Sequence, residues 1–358
     1  MESNYDYAAL CDFQKLYAAH TAARKGKRGK GDVIGFEMNL AENLCMLQKE
    51  LADMTYRHKG YRHFRIYEPK EREIFAPSYS DRVVQHCLCD NILGTVLDSR
   101  LIYDNAACRK GKGTHFAIDR LSGFMRDFYK LHGTGGFFLK CDIRKFFQNI
   151  DHYVLKSKLK KVFGGSDVYG LLCHIIDSYE NTPGTGLPLG NQTSQWFALY
   201  YLDGIDRLIK EKLRIKYYSR YMDDFVLLHH DKEYLQKCFA EIRNMCERDL
   251  KLELNDKTQI FPLQNGVNYL GWHFYMTDSG KVVRKLRNSN KKSIKKRFKR
   301  LAQDYHDWKI DFDAIKRSMA STYGHLMHGN TYRLRSKLVW ETVFTRGNSA
   351  NYIKGNVI

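Results

Sequence analysis

The residues with the clearest chemical meaning are Asp142, Asp223 and Asp224. The last two close the tetrapeptide Tyr221-Met222-Asp223-Asp224. It lies between Ile215-Lys216-Tyr217-Tyr218-Ser219-Arg220 and Phe225-Val226-Leu227-Leu228. Both flanks are rich in β-branched and aromatic residues, so a hairpin is predicted with the two carboxylates at its tip. Neighbouring carboxylates repel unless a positive charge lies between them. A divalent cation held by oxygen ligands relieves that repulsion, and magnesium is the natural candidate. An exposed Asp-Asp turn is the plainer reading of the tetrapeptide alone. Asp142 weighs against it, because it ends a second apolar run, Gly136-Phe137-Phe138-Leu139-Lys140-Cys141. If the two strands lie side by side, Asp142 faces Asp223. Two metal ions about 3.5–4 Å apart can then bridge them and support in-line attack at phosphorus.

Other residues of suitable type flank this centre. Lys70 and Arg72 stand in a charged turn between two strand-like runs, Arg65-Ile66-Tyr67 and Ile74-Phe75-Ala76. Two apart, they share a face. That suits a triphosphate clamp with arginine as the bidentate partner; a solvated charged turn is the alternative. Phe147 follows Asp142 by five residues. A ring beside the sugar of an incoming nucleotide clashes with a 2′-hydroxyl and selects deoxynucleotides, unless Phe147 is simply core. Gly190, before Asn191-Gln192-Thr193-Ser194-Gln195, lets the backbone approach a base pair closely. Lys257 is a candidate general acid for a departing pyrophosphate, and an ordinary surface lysine is an equal reading.

These groups need strands to hold them and helices to back the strands. Apolar residues at helical spacing predict helices over 5–23 (Leu10, Phe13, Leu16, Tyr17) and 37–54 (Leu40, Leu44, Leu47, Leu51). A basic, glycine-rich loop, 24–31, joins them. Ser80 or Asp81 is expected to cap the next helix. A second basic, glycine-rich turn, 107–115, lacks the glycine spacing and the Lys-Ser/Thr ending of a nucleotide-hydrolase phosphate loop. Turn-rich residues over 181–189 lead into an apolar helix at 196–208, and another helix follows at 233–250. An aromatic hairpin is expected at 267–274. From about residue 290 a long helix carries Ile294, Phe298, Leu301, Tyr305 and Trp308 on one stripe. Its other faces bear Lys291, Lys292, Lys295, Lys296 and Arg297, suited to a phosphate backbone. A last helical region spans 315–344.

The 358 residues are 43% hydrophobic, which sets the chain among globular proteins, with room for two or three subdomains. The formal net charge is +19, which predicts a polyanionic partner, most often nucleic acid. Aromatic residues, at 13%, suit base stacking. No run of about 20 apolar residues predicts a membrane span. The acidic start, Met1-Glu2-Ser3-Asn4-Tyr5-Asp6, lacks an apolar signal core, so a cytoplasmic protein is expected. Nine cysteines without paired spacing read as reduced thiols, and the fourteen histidines show no zinc spacing with them.

In this order, the basic hairpin, the Asp142 strand, the Gly190 turn onto a helix, Tyr-Met-Asp-Asp, the Lys257 turn, the aromatic hairpin and the basic helix resemble a reverse transcriptase of the right-hand polymerase type. The resemblance covers about 35–338. It implies an α+β fold with an antiparallel palm sheet packed on helices and an α-helical thumb. The implied domains are an N-terminal extension and fingers over 1–115, palm over 116–152 and 189–278, a fingers insertion over 153–188, and thumb over 279–358. It implies that Asp142, the Ile143 carbonyl, Asp223 and Asp224 hold two magnesium ions, for which manganese can substitute. Lys70, Arg72, Phe147, Leu189, Gly190 and Gln195 then contact the deoxynucleoside triphosphate, and Tyr269, Leu270 and Gly271 grip the primer. The partners are template RNA and the cDNA or primer strand.

One departure narrows the resemblance. Most reverse transcriptases begin this turn with Gln-Gly and end it with Ser-Pro; here Leu189-Gly190 and Ser194-Gln195 stand there. That variant is similar to the reverse transcriptases of diversity-generating retroelements. These copy a template-repeat RNA with frequent errors at adenines and work with a pentameric barrel accessory protein. No appended nuclease is expected after the last helix. The alternatives are a group II intron- or retron-type enzyme, an RNA-dependent RNA polymerase, which Phe147 disfavours, and a non-catalytic RNA-binding scaffold.

Overall fold

A run of aromatic and β-branched residues favours extended backbone, and the chain's strands fall where such runs lie. The computed structural model describes residues 7–67 and 71–347, so Lys70 lies outside the described residues. Helices and antiparallel strands are mixed, as expected for an α+β protein. Strands β1 (Tyr61–Ile66) and β2 (Arg72–Pro77) pair antiparallel with Ile66 opposite Arg72. Strands β3 (Phe137–Cys141), β4 (Tyr217–Tyr221), β5 (Asp224–His229) and β6 (Gln259–Pro262) form one sheet in the order β4-β5-β3-β6. Strands β7 (Val267–Tyr269), β8 (Trp272–Met276) and β9 (Val282–Leu286) form an antiparallel meander.

The chain divides into two compact units. One comprises the residues up to Gly113, Leu139–Leu227 and Glu233–Gln259; the other comprises Thr114–Phe138, Leu228–Lys232 and the residues from Ile260 on. In the first unit, Leu139, Phe225, Val226 and Leu227 from the sheet and Phe197, Leu199 and Ile205 from the helices Gln192–Tyr201 and Asp203–Arg207 are fully buried. In the second, the helices Asn288–His306 and Phe312–Leu326 bury Phe298, Ile315 and Leu326, and Trp272 of β8 is buried as well.

Several boundaries differ from expectation, each for a local reason. The 5–23 helix begins as a 3-10 turn, Tyr7–Leu10, and restarts at Phe13 because Asp12 caps it, accepting from the Lys15 N–H at 2.8 Å. The 37–54 helix is two, Gly31–Met38 and Leu40–Ala52, since Asn39 leaves helical geometry. The Asn43 amide satisfies the Phe36 carbonyl beside that break. The cap of Tyr79–Leu88 is Ser78, neither Ser80 nor Asp81. Asp81 is buried and accepts from the Tyr56 hydroxyl, the Lys59 N–H and Ser78. Trp308 lies past the end of Asn288–His306. The last helical region is two helices, Phe312–Leu326 and Tyr332–Glu341.

Candidate active site

The turn between β4 and β5 has two residues, Met222 and Asp223. Two-residue hairpin loops need a positive φ at their first position to match the twist of the strands. Met222 supplies it, at +55°. A side chain other than glycine is strained there by on the order of 1–3 kcal/mol, so its surroundings must hold the turn. Asp223 is half-buried on this turn, and Asp224 is the first residue of β5.

The other neighbour of β5 is β3, and Asp142 follows the end of β3 directly. The Asp142 backbone is clasped by a turn from further along the chain. The Asn255 N–H donates to its carbonyl at 2.7 Å, and the Asp142 N–H donates to Thr258 Oγ1 at 3.4 Å. Lys257 stands exposed in that same turn, its N–H donating to Asn255 Oδ1 at 3.1 Å. Burial pushes the Asp223 carboxyl above the ordinary aspartate range. The charge of Asp142 pushes it the same way, while Lys140 and Arg220 pull it back. Asp142 and Asp223 are therefore within electrostatic reach of each other.

Asp224 has a different partner. Its carboxylate makes an ion pair with the Lys140 ammonium, reaching across from β3. Among the described residues, no three His, Cys, Asp or Glu side chains gather as a ready-made metal cluster. The donor set still fits a divalent cation. Two carboxylates that repel one another, with the Ile143 carbonyl next in the chain, are hard oxygen ligands of the kind such ions take.

Strand β2 meets the rest of the first unit at the Leu189-Gly190 turn. The Phe75 N–H of β2 donates to the Leu189 carbonyl at 3.2 Å. Gly190 has φ +118°, and a Cβ on it would lie 3.4 Å from Ile74 Cγ2. Arg72, exposed at the start of β2, is thus tied through its own strand to Leu189. Phe147 follows the left-handed Lys145, is half-buried, and accepts the Leu187 N–H on its carbonyl at 2.7 Å. Gln195 accepts from the Cys108 thiol at 3.0 Å, which fixes its side chain against the second glycine-rich turn.

In the second unit, Tyr269 is buried and the β7–β8 turn is Leu270-Gly271, with φ +48° and +87°. The Gly271 carbonyl accepts from Arg287 N–H and Asn290 Nδ2, both at 3.2 Å. Along Asn288–His306, Lys292 and Lys296 are exposed and Lys291 and Lys295 half-buried. Lys295 pairs with Glu341 at 3.3 Å. Arg297 departs from the expected solvent face: it turns inward and donates to the Ser318 carbonyl and the Thr322 hydroxyl.

Comparison with known proteins decides the family. The family model described as reverse transcriptase (RNA-dependent DNA polymerase) matches residues 68–274, more than half of the chain. The chain belongs to the reverse transcriptase family. The match includes Asp142, Asp223 and Asp224. No curated protein matches significantly. Among solved structures, apo telomerase from Candida tropicalis is similar at 14% identity and TM-score 0.49, over 67% of this chain and 53% of that one. Telomerase from Candida albicans with a fragment of telomeric RNA gives 14% and 0.48, over 70% and 52%. A partial Cas6-RT-Cas1–Cas2 complex gives 18% and 0.40, over 68% and 42%. The chain spans about half the length of the telomerase chains it matches.

Within this reverse transcriptase domain, the residues that sequence reasoning passed over are Lys140, Arg220, Asp206, Asn255 and Thr258. The only signal was a charged residue inside each strand-forming run, Lys140 in β3 and Arg220 in β4.

Proposed function

We propose that the protein is an RNA-directed DNA polymerase that extends a primer by nucleotidyl transfer at Asp142 and Asp223. The observation that carries this reading is the Asp223 turn on β5 beside the end of β3, with the charge of Asp142 acting on Asp223. Asp142, Asp223 and the Ile143 carbonyl are the groups to hold magnesium. The ions, when bound, supply the charge stabilisation and the activation of the attacking oxygen that phosphoryl transfer needs. The primer 3′-hydroxyl gives up its proton to solvent, its oxygen forms a bond to the α-phosphorus, the bond to the bridging oxygen breaks, and pyrophosphate leaves. Lys257, in the turn that clasps Asp142, donates a proton to that leaving group. Arg72 and Lys70 hold the triphosphate, and Phe147 excludes the 2′-hydroxyl. Tyr269, Leu270 and Gly271 support the primer end, while Lys291, Lys292, Lys295 and Lys296 contact the nucleic-acid backbone. The fingers, palm and thumb divide at the residues given above.

Leu189-Gly190 and Ser194-Gln195 favour the narrower reading, an enzyme that makes adenine-mutagenised cDNA in a diversity-generating retroelement with a barrel accessory protein. A leucine at 189 offers van der Waals contact where a glutamine hydrogen-bonds, so mispaired geometries are penalised less. Purified protein, an RNA template, a DNA primer, deoxynucleotides and magnesium test both levels. Extension is expected, and its loss in Asp223→Asn. Sequencing the cDNA should show errors concentrated opposite adenines, and fewer of them with Leu189→Gln. Errors spread evenly over the four bases would remove the narrower reading and leave the polymerase.

A further inference from the structure

We infer that Arg220 is a positioning residue for the catalytic turn, held in place by Asp206 and Tyr218. The inference rests on the polymerase reading and adds a residue to it. Arg220 stands one place before the tetrapeptide, and its side chain is wholly buried, as is that of Asp206. A buried guanidinium must satisfy its N–H donors within the protein. Its Nε and Nη2 donate to the two oxygens of Asp206 at 2.7 and 2.5 Å, a bidentate pair. Nη2 also donates to the Leu199 carbonyl at 3.1 Å. Nη1 donates to the Met222 carbonyl at 3.0 Å. Tyr218, two residues back on β4, donates its hydroxyl to Asp206 Oδ1 at 2.6 Å and so fixes the acceptor.

The Met222 contact is the one that packing does not require. Filling the same volume with apolar groups is often as stable as a buried ion pair. An apolar side chain leaves the Met222 carbonyl unheld, and Met222 is the left-handed residue whose peptide leads directly into Asp223. Arg220 therefore orients the peptide that aims Asp223. The main chain of Arg220 is pinned as well: its N–H donates to the Asp104 carbonyl at 3.2 Å, and its carbonyl accepts from Ala106 at 3.0 Å. Its charge also acts on Asp223. One side chain thus links the helices Gln192–Tyr201 and Asp203–Arg207 to the turn.

The test compares the full-length protein with Arg220→Lys, Arg220→Met, Tyr218→Phe and Asp223→Asn. Three readouts are taken: steady-state primer extension, thermal unfolding, and tyrosine-sensitised terbium luminescence without nucleic acid, with Tb3+ as the probe of the acidic pair. For Arg220→Lys, which keeps the charge and loses the fork, kcat should fall about tenfold or more, as for a misplaced reacting group, while KM for the deoxynucleotide changes little. Its half-saturating Tb3+ should rise severalfold. Tyr218→Phe should move both in the same direction by less. If Arg220→Met does not fold, Arg220→Lys and Tyr218→Phe decide. Wild-type kcat and wild-type Tb3+ affinity in these two overturn the inference, provided that Asp223→Asn abolishes extension. Retained extension in Asp223→Asn overturns the polymerase assignment beneath it.

Discussion

Lys140 gives the centre a cation of its own. Its ammonium is paired with Asp224 across β3 and β5, so the charge of that aspartate is already answered. Among the described residues Asp223 has no such ion pair, and it feels Asp142 instead. The two adjacent aspartates should therefore be unequal. We expect Asp223→Asn to lower kcat by about a thousandfold or more and Asp224→Asn by at least tenfold less, measured by single-turnover extension. Equal losses would mean that both carboxylates do the same work. For Phe147→Ala, the preference for deoxy- over ribonucleotides in kcat/KM should drop by about tenfold or more, and an unchanged ratio would remove the gate. The placement of Asp142, Asp223 and Asp224 at the ends of neighbouring strands was legible, because their flanks are strand-forming. Lys140 and Arg220 were not. A lone cation in a strand-forming run reads as a solvent-facing residue, and Asp206 lies fourteen residues from Arg220, a distance that no periodicity encodes.

Among the elements, the Phe75–Leu189 hydrogen bond joins β2, which bears Arg72, the proposed triphosphate contact, to the Leu189-Gly190 turn. Gly190 is needed there for its φ of +118°, which side-chain-bearing residues rarely adopt, and for its closeness to Ile74. Gly190→Ala should cost about 1–3 kcal/mol in unfolding free energy. It should also raise KM for deoxynucleotides, since the strand bearing Arg72 loses its seat. Denaturant unfolding and extension kinetics on one preparation check both parts. Apolar periodicity made many helices legible, and strand-forming runs about a turn did the same for the hairpins β1–β2, β4–β5 and β7–β8; the pairing of β8 with β9 and the helices Thr114–His132, His152–Phe163 and Asp167–Asp177 went unread. The breaks were harder, because a single residue decides each of them. Asn39 splits one expected helix, and Asp12 restarts another by capping it. Asn and Asp fit either a helix or a turn until their side chains find backbone partners.

At the scale of the whole molecule, the net charge of +19 predicts binding governed by counterion release. The affinity for a primer–template should fall steeply with salt, by on the order of a hundredfold between 50 and 200 mM, in a fluorescence anisotropy titration. Stability should depend on pH through buried and half-buried imidazoles. Burial lowers the pKa of His20, His58, His86 and His174 from their ordinary value of 6.5. A histidine of this kind takes up its proton more readily in the unfolded chain. Its contribution is therefore present above about pH 6.5 and is lost as the pH falls below that value. The melting temperature should drop on acidification from about pH 7.5 to 5.5, and a flat profile would argue against charged forms being excluded.

The built-in ammonium and guanidinium have a further consequence. Chelation should silence synthesis without melting the fold, because the acidic strand ends keep part of their neutralisation covalently attached. The polymerase proposed here should then stay folded in a divalent-free buffer, a state that thermal unfolding with and without a chelator would compare.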